Sequence, residues 1–352
     1  MSAGAPARAV VATAPMRITL AGGGTDLPEY YRHGPTQVLA ITVDLTVRVA
    51  VAGELGAAQA AAAFEPDRDR YRLELGPRDH SPYRDAAAAL LGISPRVAVA
   101  VSSRVRPGSG LGGSGAFCVA LLDALAAANG VPLAPAAAAE LAYRVERERL
   151  GRPVGSQDGW VAATGGAVRL DLSADGAACA RHDPEVFAVV AGMLDRDLLL
   201  FSTPTSRDAG RVLAGAAPVT SATRAAALRA AYAAERAFRS GDVTTVGRML
   251  RCHWAEKVRR NPAADHPACH LLAARADELG VHGFKLLGAG GGGHVLAAVD
   301  PARRQATIAA LAHAGLEHVP VRPRREGLVP AVRAGGVRPS AARVLEASCV
   351  SE

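Results

Sequence analysis

Hydrophobic and polar residues alternate most regularly between Val38 and Val51, where Ile41, Val43, Leu45, Val47, Val49 and Val51 face off against Thr42, Asp44, Thr46 and Arg48. A period of two puts one set on each face, the signature of a half-buried strand. Met16–Leu20 and Tyr71–Leu75 alternate in the same way over shorter spans, and Arg96–Val101 predicts a strand that ends before a glycine-rich turn. Ser114–Ala128 is largely apolar and longer than a typical strand, so it predicts a helix stopped by Asn129-Gly130. Alanine-rich Ala136–Leu150 predicts a second helix. Asp197–Phe201 is strand-like and leads into a helical block over residues 206–279, interrupted at Asn261-Pro262. A strand, a glycine loop and a strand follow over Gly283–Val299, then a helix from Pro301 and a last strand near His318–Val321.

Runs of strands and runs of helices, without regular alternation, predict an α+β protein. The 352 residues accommodate two domains, with a boundary expected near residue 190, giving 1–190 and 191–352. Ala57–Ala63 is low in complexity and reads as a surface connection, and there is no internal repeat.

Composition narrows the classes of function. No apolar run is long enough to span a membrane. Ala9–Ala14 is too short for a secretory leader, so a soluble cytoplasmic protein is expected. The net charge of +7 would ordinarily suggest nucleic acid, but only two lysines occur, Lys257 and Lys285, and the arginines form no basic stripe. Aromatic residues at 4% leave little to stack on bases, so no nucleic-acid partner is expected. The five cysteines are scattered and never in CxxC spacing, which predicts free thiols in a reducing compartment.

Three glycine-rich segments are candidates for chemistry. Pro107-Gly-Ser-Gly-Leu-Gly-Gly-Ser-Gly-Ala116 opens the apolar helix. Glycines admit positive φ and close approach of a ligand, and the helix start behind them offers unpaired N–H groups and a positive dipole end. Pro107, Gly108, Ser109, Gly110, Leu111, Gly112, Gly113 and Ser114 therefore form a candidate phosphate cradle. Ser114 could ligate Mg²⁺ or cap the helix. No lysine follows, so this is not a Walker A loop. Gly108, Gly110 and Gly113 satisfy GxGxxG, but the loop is not tight after its strand and no acidic residue stands ~20 positions on for a ribose. The second segment, Lys285-Leu-Leu-Gly-Ala-Gly-Gly-Gly-Gly-His294, lies between two strands and suits close backbone approach. The third, Ala21-Gly-Gly-Gly-Thr-Asp26, follows a strand and could bind a polar substrate.

Two acidic residues stand out. Glu146 sits late in the second helix among arginines, where a solvated i,i+4 partner is the ordinary role. Asp158 follows a glycine-containing loop, where a helix N-cap is the ordinary role. With the cradle they supply the parts that phosphoryl transfer to a hydroxyl needs: a metal ligand, a phosphate site and an acceptor-orienting carboxylate.

The order of these motifs resembles the signature of the GHMP (galactokinase, homoserine kinase, mevalonate kinase and phosphomevalonate kinase) superfamily. Pro15-x-Arg17-Ile18 with Gly22–Asp26, then Pro107–Ser114, then Glu146–Asp158, then Lys285–Gly293 carry the likeness over most of the chain. Within the superfamily, Gly151-Arg-Pro-Val-Gly-Ser-Gln-Asp158, Thr205-Ser-Arg207 and His253-Trp-x-x-Lys257 are most similar to the heptose 7-phosphate kinases. Both lysines of this lysine-poor chain fall inside the matching segments.

The resemblance implies a ribosomal-protein-S5-like N-terminal domain and a ferredoxin-like C-terminal domain, with ATP and Mg²⁺ as cofactors. It implies that residues 107–114 wrap the triphosphate, that Ser114 and Glu146 hold Mg²⁺, that Asp158 orients the acceptor hydroxyl, and that Arg17 steadies the developing charge. Gly23, Gly24, Thr25, Asp26 and Asp44 would meet the sugar, with Gly290 and Gly291 closing over the substrates. Arg207 and Lys257 are the candidate cations for a substrate phosphate. The implied activity is phosphorylation of a sugar phosphate at its anomeric hydroxyl by a monomer or homodimer. Fucose, galactose, an octose 8-phosphate and a non-catalytic sensor are the alternatives. The chain departs from its relatives at Gly113 and Gly115, where many carry serine, and at His294, where an apolar residue is more usual.

Overall fold

The computed structural model describes residues 9–52, 60–64, 71–205 and 209–333. Arg207 and the connection at 57–59 lie outside these residues.

Two sheets organise the chain. The first has seven strands: β1 (Val10–Ala21), β2 (Thr36–Ala52), β3 (Tyr71–Leu75), β4 (Ala98–Ser103), β5 (Ala167–Leu172), β6 (Ala178–His182) and, from the far end of the chain, Val329–Arg333. The second is antiparallel and contains β7 (Leu198–Ser202), β8 (Val281–Leu286), β9 (His294–Val299) and β10 (Glu317–His318), in the order β10-β7-β9-β8. Val329–Arg333 is β11, and it pairs with β1.

The strand expected at Val38–Val51 is the spine of the first sheet. Of its 17 residues, the stretch from Leu39 to Val51 pairs with β1 along one edge; on the other, Thr36–Ile41 pair with β5 and Val47–Ala52 with β4. Because the strand is covered for most of its length, only Asp44, Thr46 and Arg48 retain the half-exposed alternation. β1 starts at Val10, earlier than its shorter alternating segment indicates, because Ala12 and Ala14 are buried against the core and extend the pairing.

The helices of eight or more residues are α1 (Pro82–Leu91), α2 (Gly113–Ala128), α3 (Pro135–Tyr143), α4 (Gln157–Thr164), α5 (Pro184–Arg196), α6 (Ser221–Ser240), α7 (Val243–Arg260), α8 (Pro267–Ala274) and α9 (Arg304–His313). The helix expected over 136–150 does not run through: after Tyr143 it widens into a π-helical turn, Arg144–Arg149. The helical block after residue 206 breaks at Asn261 as expected. It also breaks at Gly241-Asp242, where Gly241 caps α6 in the left-handed conformation and Asp242 accepts from Thr245 N–H to start α7.

One apolar core joins Leu121, Leu122 and Leu125 of α2 to β1 and β2, and continues through Val190 and Met193 of α5 to Leu200, Leu296 and Phe238. A separate cluster fills the other face of the second sheet, around Phe201, Trp254, Leu272 and Phe284. A division near residue 190 falls inside α5, and β11 sits in the first sheet although it follows the second in sequence. Cys118 and Cys269 are buried free thiols and Cys252 is an exposed one, as composition led us to expect; Cys179 is instead disulfide-bonded. Among the described residues no helix is long and apolar enough to cross a membrane.

Candidate active site

A cleft of about 1350 Å³ runs between the two sheets. Single small-molecule pockets are usually about 300–1,000 Å³, so this one has room for two reactants. Its walls come from β1 and the turn after it, the loop before α2, residues 151–158, one face of α7 and the end of β8.

The loop before α2 has the form of an anion cradle. Gly108, Gly110 and Gly112 take φ of 78°, 81° and 72°, alternating with residues of ordinary backbone. Successive turns of this kind gather N–H groups into a concave donor surface. The acceptors are occupied from the protein side. Gly110 O takes Arg17 Nη1–H at 2.7 Å, Leu111 O takes the Arg17 backbone N–H at 2.9 Å, and Gly112 O takes Ala116 N–H at 3.0 Å. Ser114, in the first turn of α2, is exposed to the cleft, where the helix dipole favours negative charge.

Arg17 reaches this loop because β1 is irregular there. The β1–β2 register shifts between Pro15 and Arg17 and again between Thr19 and Ala21; a bulge re-aims the side chains beside it. The guanidinium is 3% exposed and also binds Asp158, with Nε and Nη2 at 3.0 and 2.6 Å from the same oxygen, Oδ1. Both bonds fall on Oδ1, and Oδ2 accepts none among the described residues. Asp158 does not cap its helix; it is the second residue of α4, whose start lies against α2. That approach requires glycine at 115, since a Cβ there would stand 2.5 Å from Asp158 Cβ and 2.8 Å from Gly159 N.

Glu146 is not the solvated helix residue that its position among arginines suggests. The π turn carries it inward, where it is 4% exposed and accepts from Tyr83 OH at 3.1 Å, with the Ser114 hydroxyl close enough to favour its charged form. Glu148 takes the surface role, pairing with Arg144. Burial, then the nearby Asp158 charge, push the Glu146 carboxyl up to about 7. A single π turn inside a helix often marks a functional position, and here it delivers the carboxylate.

The turn after β1 is only partly a substrate surface. Gly23, Gly24 and Asp26 line the cleft, but Asp26 is 1% exposed and committed. Its carboxylate accepts from Gln157 N–H, Gln157 Nε2–H and Gly24 N–H at 3.1, 3.0 and 3.2 Å. Burial, partly offset by the Gln157 N–H, pushes its pKa up to about 6. Thr25 faces inward, donating its hydroxyl to Gly22 O and Gln37 O. Asp44 lies outside the cleft. It holds the chain after β10, its Oδ1 accepting from Arg322 N–H at 2.8 Å and its own N–H donating to Arg322 O. Gly290 and Gly291 also stand away from the cleft and meet Ala264: Gly291 N–H donates to Ala264 O, and a Cβ on Gly290 would fall 2.5 Å from Ala264 Cβ. Gly288 and Ala289 are the members of that loop that reach the cleft.

Lys257 does line the cleft, and its ammonium donates to Gly288 O. Two neighbours belong to the matching sequence segments but had no role assigned to them. Lys285, 4% exposed, donates to Leu20 O at 2.9 Å, and His253 stands one helical turn before Lys257 on α7. Burial, then Lys257 and Arg17, pull the Lys285 pKa well down; burial, then both lysines, do the same to His253. The available signal was lysine scarcity together with the His-Trp-x-x-Lys spacing, which puts His253 and Lys257 on one helix face.

Residues 82–166, which span the cradle, Ser114, Glu146 and Asp158, match the family model of the GHMP kinases N terminal domain. The D-glycero-alpha-D-manno-heptose 7-phosphate kinase of Campylobacter jejuni is 26% identical over 315 residues, 84% of this chain and 91% of that protein. The solved D-glycero-D-manno-heptose 1-phosphate kinase from Bacteroides thetaiotaomicron is similar with a TM-score of 0.66 at 19% identity, over 91% of this chain and 97% of that one. Phosphomevalonate kinase of Streptococcus pneumoniae, solved with phosphomevalonate and AMPPNP, also reaches 0.66, at 15% identity over 89% and 99%. The chain has the GHMP kinase fold, with a GHMP kinase N-terminal domain.

The two departures from the GHMP pattern in the cradle differ physically. A Cβ at Gly113 would meet only Met16 Cε, at 3.4 Å, an ordinary contact, whereas at Gly115 it would collide with Asp158. As a metal site, Ser114 and Glu146 offer two hard oxygen donors. That suits Mg²⁺, which takes few protein ligands and completes its shell with phosphate oxygens and water; among the described residues no group of three or more His, Cys, Asp or Glu could hold a metal.

Proposed function

We propose that this GHMP kinase-fold protein transfers the γ-phosphoryl group of ATP to a sugar phosphate. The proposed acceptor is D-glycero-D-manno-heptose 7-phosphate, phosphorylated on its anomeric hydroxyl to the 1,7-bisphosphate. The observation that carries the reading is the Arg17–Asp158 pair at the base of a cradle whose backbone acceptors are tied down, with Asp158 Oδ2 left to receive a proton.

Phosphoryl transfer is catalysed mainly by positioning and electrostatics. In this reading the triphosphate lies along the N–H groups of residues 108–113 and the start of α2. Asp158 Oδ2 accepts or orients the acceptor hydroxyl, while Arg17 holds the carboxylate in place and supplies positive charge beside the transferring group. Ser114 and Glu146 would hold Mg²⁺, which when bound would neutralise charge on the phosphates. Lys257 places a cation on the opposite wall, with His253 and Lys285 beside it as hydrogen-bonding groups, an arrangement suited to an acceptor that carries a phosphate of its own, with Arg207 as a further candidate. The heptose kinase identity of the relatives supports the choice of sugar.

An ATP-to-ADP coupled assay with Mg²⁺ against heptose 7-phosphate, octose 8-phosphate, fucose and galactose tests this. Turnover with phosphorylated sugars alone is expected. Equal turnover with fucose or galactose would move the reading to a neutral-sugar kinase, and nucleotide binding without turnover would leave a sensor.

A further inference from the structure

His294, the first residue of β9, is 3% exposed and lies at the junction of the two sheets, with Nδ1 2.9 Å from the carbonyl oxygen of Ser109. A carbonyl oxygen only accepts, so this contact requires the tautomer with the proton on Nδ1. The neighbouring Gly293 brings the same strand against the cradle: a Cβ there would stand 2.4 Å from Ser109 O. On the near side of the loop, Arg106 Nη2–H donates to Thr203 O and Pro204 O at 2.9 and 3.0 Å, and Gly293 N–H donates to Thr203 Oγ1. The second sheet therefore grips the cradle at Arg106 and at Ser109.

With this contact four successive carbonyls of the cradle, 109 to 112, are accounted for. Ser109 O is taken by His294, Gly110 O by the Arg17 side chain, Leu111 O by the Arg17 backbone, and Gly112 O by the first turn of α2. A carbonyl turned toward a polyphosphate would repel it, so a loop that binds the anion must keep its acceptors engaged elsewhere. Three of the four engagements come from the first sheet and its helix. The fourth comes from across the cleft.

We infer that His294 is a positioning residue for the nucleotide phosphates, donating its Nδ1–H from the second sheet to the Ser109 carbonyl and so holding the cradle with its N–H groups toward the anion. Nucleotide affinity then depends on a contact between the two sheets. The inference rests on the kinase reading, since the anion it positions is the triphosphate.

The test uses His294→Asn, His294→Gln and His294→Leu in the full chain, with titration of AMPPNP plus Mg²⁺ by calorimetry and KM for ATP and for the acceptor. Asparagine can place an N–H close to where Nδ1 stands, glutamine reaches instead toward the position of Nε2, and leucine has no donor. The expected result is about tenfold weaker AMPPNP binding for the Gln and Leu variants, the size of one lost hydrogen bond. Asn should return to within about threefold, with the acceptor KM unchanged in all three. Equal binding by Asn, Gln and Leu would overturn the inference, as would a parallel rise of both KM values with a lowered thermal midpoint, which is the mark of a merely structural role. If Leu fails to fold, the Asn–Gln pair decides by itself. A parent protein that binds no AMPPNP would overturn this inference and the kinase reading together, whereas a parent that binds and turns over, with variants unchanged, would overturn this inference alone.

Discussion

Residues 107–115 and 288–293 each carry five glycines, and by composition either could be the phosphate loop. In the first, positive φ recurs at alternate positions, the carbonyls are tied down, and a helix starts directly behind. In the second, all five glycines have positive φ and a strand follows. Most of its glycines meet protein: Gly290 faces Ala264, Gly292 faces Thr205 O, and Gly293 faces Ser109 O at distances no Cβ would survive. The same residue type shapes an open surface of N–H groups in one loop and permits close contact with protein in the other. What separates them is the element that follows: a helix start offers uncommitted N–H groups to an anion, and a strand commits its own to a ladder.

If the first loop is the chemical one, its neighbour Asp158 should be the most sensitive position. Asp158→Asn is expected to lower turnover by about 10²–10⁴, with AMPPNP affinity nearly unchanged by calorimetry; near-normal turnover would remove the carboxylate from the mechanism. Gly115→Ser sharpens the contrast within the loop. Its side chain must displace Asp158, and a misplacement of about 1 Å can cost on the order of 10²-fold in kcat, while Gly113→Ser, which meets only Met16 Cε, should stay near the parent in the same steady-state assay. Comparable losses for both serines would show that steric approach to Asp158 is not what the loop requires. The smallest effect on chemistry is expected in the second loop. Gly290→Ala places a Cβ into Ala264 at φ of 98° and should cost about 1–3 kcal/mol of stability in denaturant unfolding. Its kcat should change far less than that of Gly115→Ser, and a larger loss of kcat than of stability would mean that Gly290 reaches the substrates.

Much of the arrangement was legible locally. Strand β2, helix α2, the β8–loop–β9 unit and the break at Asn261 follow from alternation, apolar length and stop signals that act over a few residues. β11 was missed because Val329–Arg333 is short and becomes a strand only through the edge that β1 presents. Glu146 could not be placed either, since helical spacing assigns it to the surface and only the π turn carries it inward. Asp44 shows the converse: it sits on the polar face of β2 as expected, but that face is covered there by the chain around Arg322 and not by the cleft.

The order and spacing of the glycine turns, the helix start after the cradle, and the presence of Arg17, Ser114, Glu146, Asp158 and Lys257 are properties of the amino-acid chain alone, because each rests on what a residue permits its own backbone to do or which groups it carries. Which of those groups meet was decided by folding. Arg17 finds Asp158 across 141 residues, Gln157 commits Asp26 across 131, and His294 takes the Ser109 carbonyl across 185. Contacts of that range depend on the register of a bulged strand, the approach of two helices at a missing Cβ and the docking of one sheet on another, none of which a local pattern encodes.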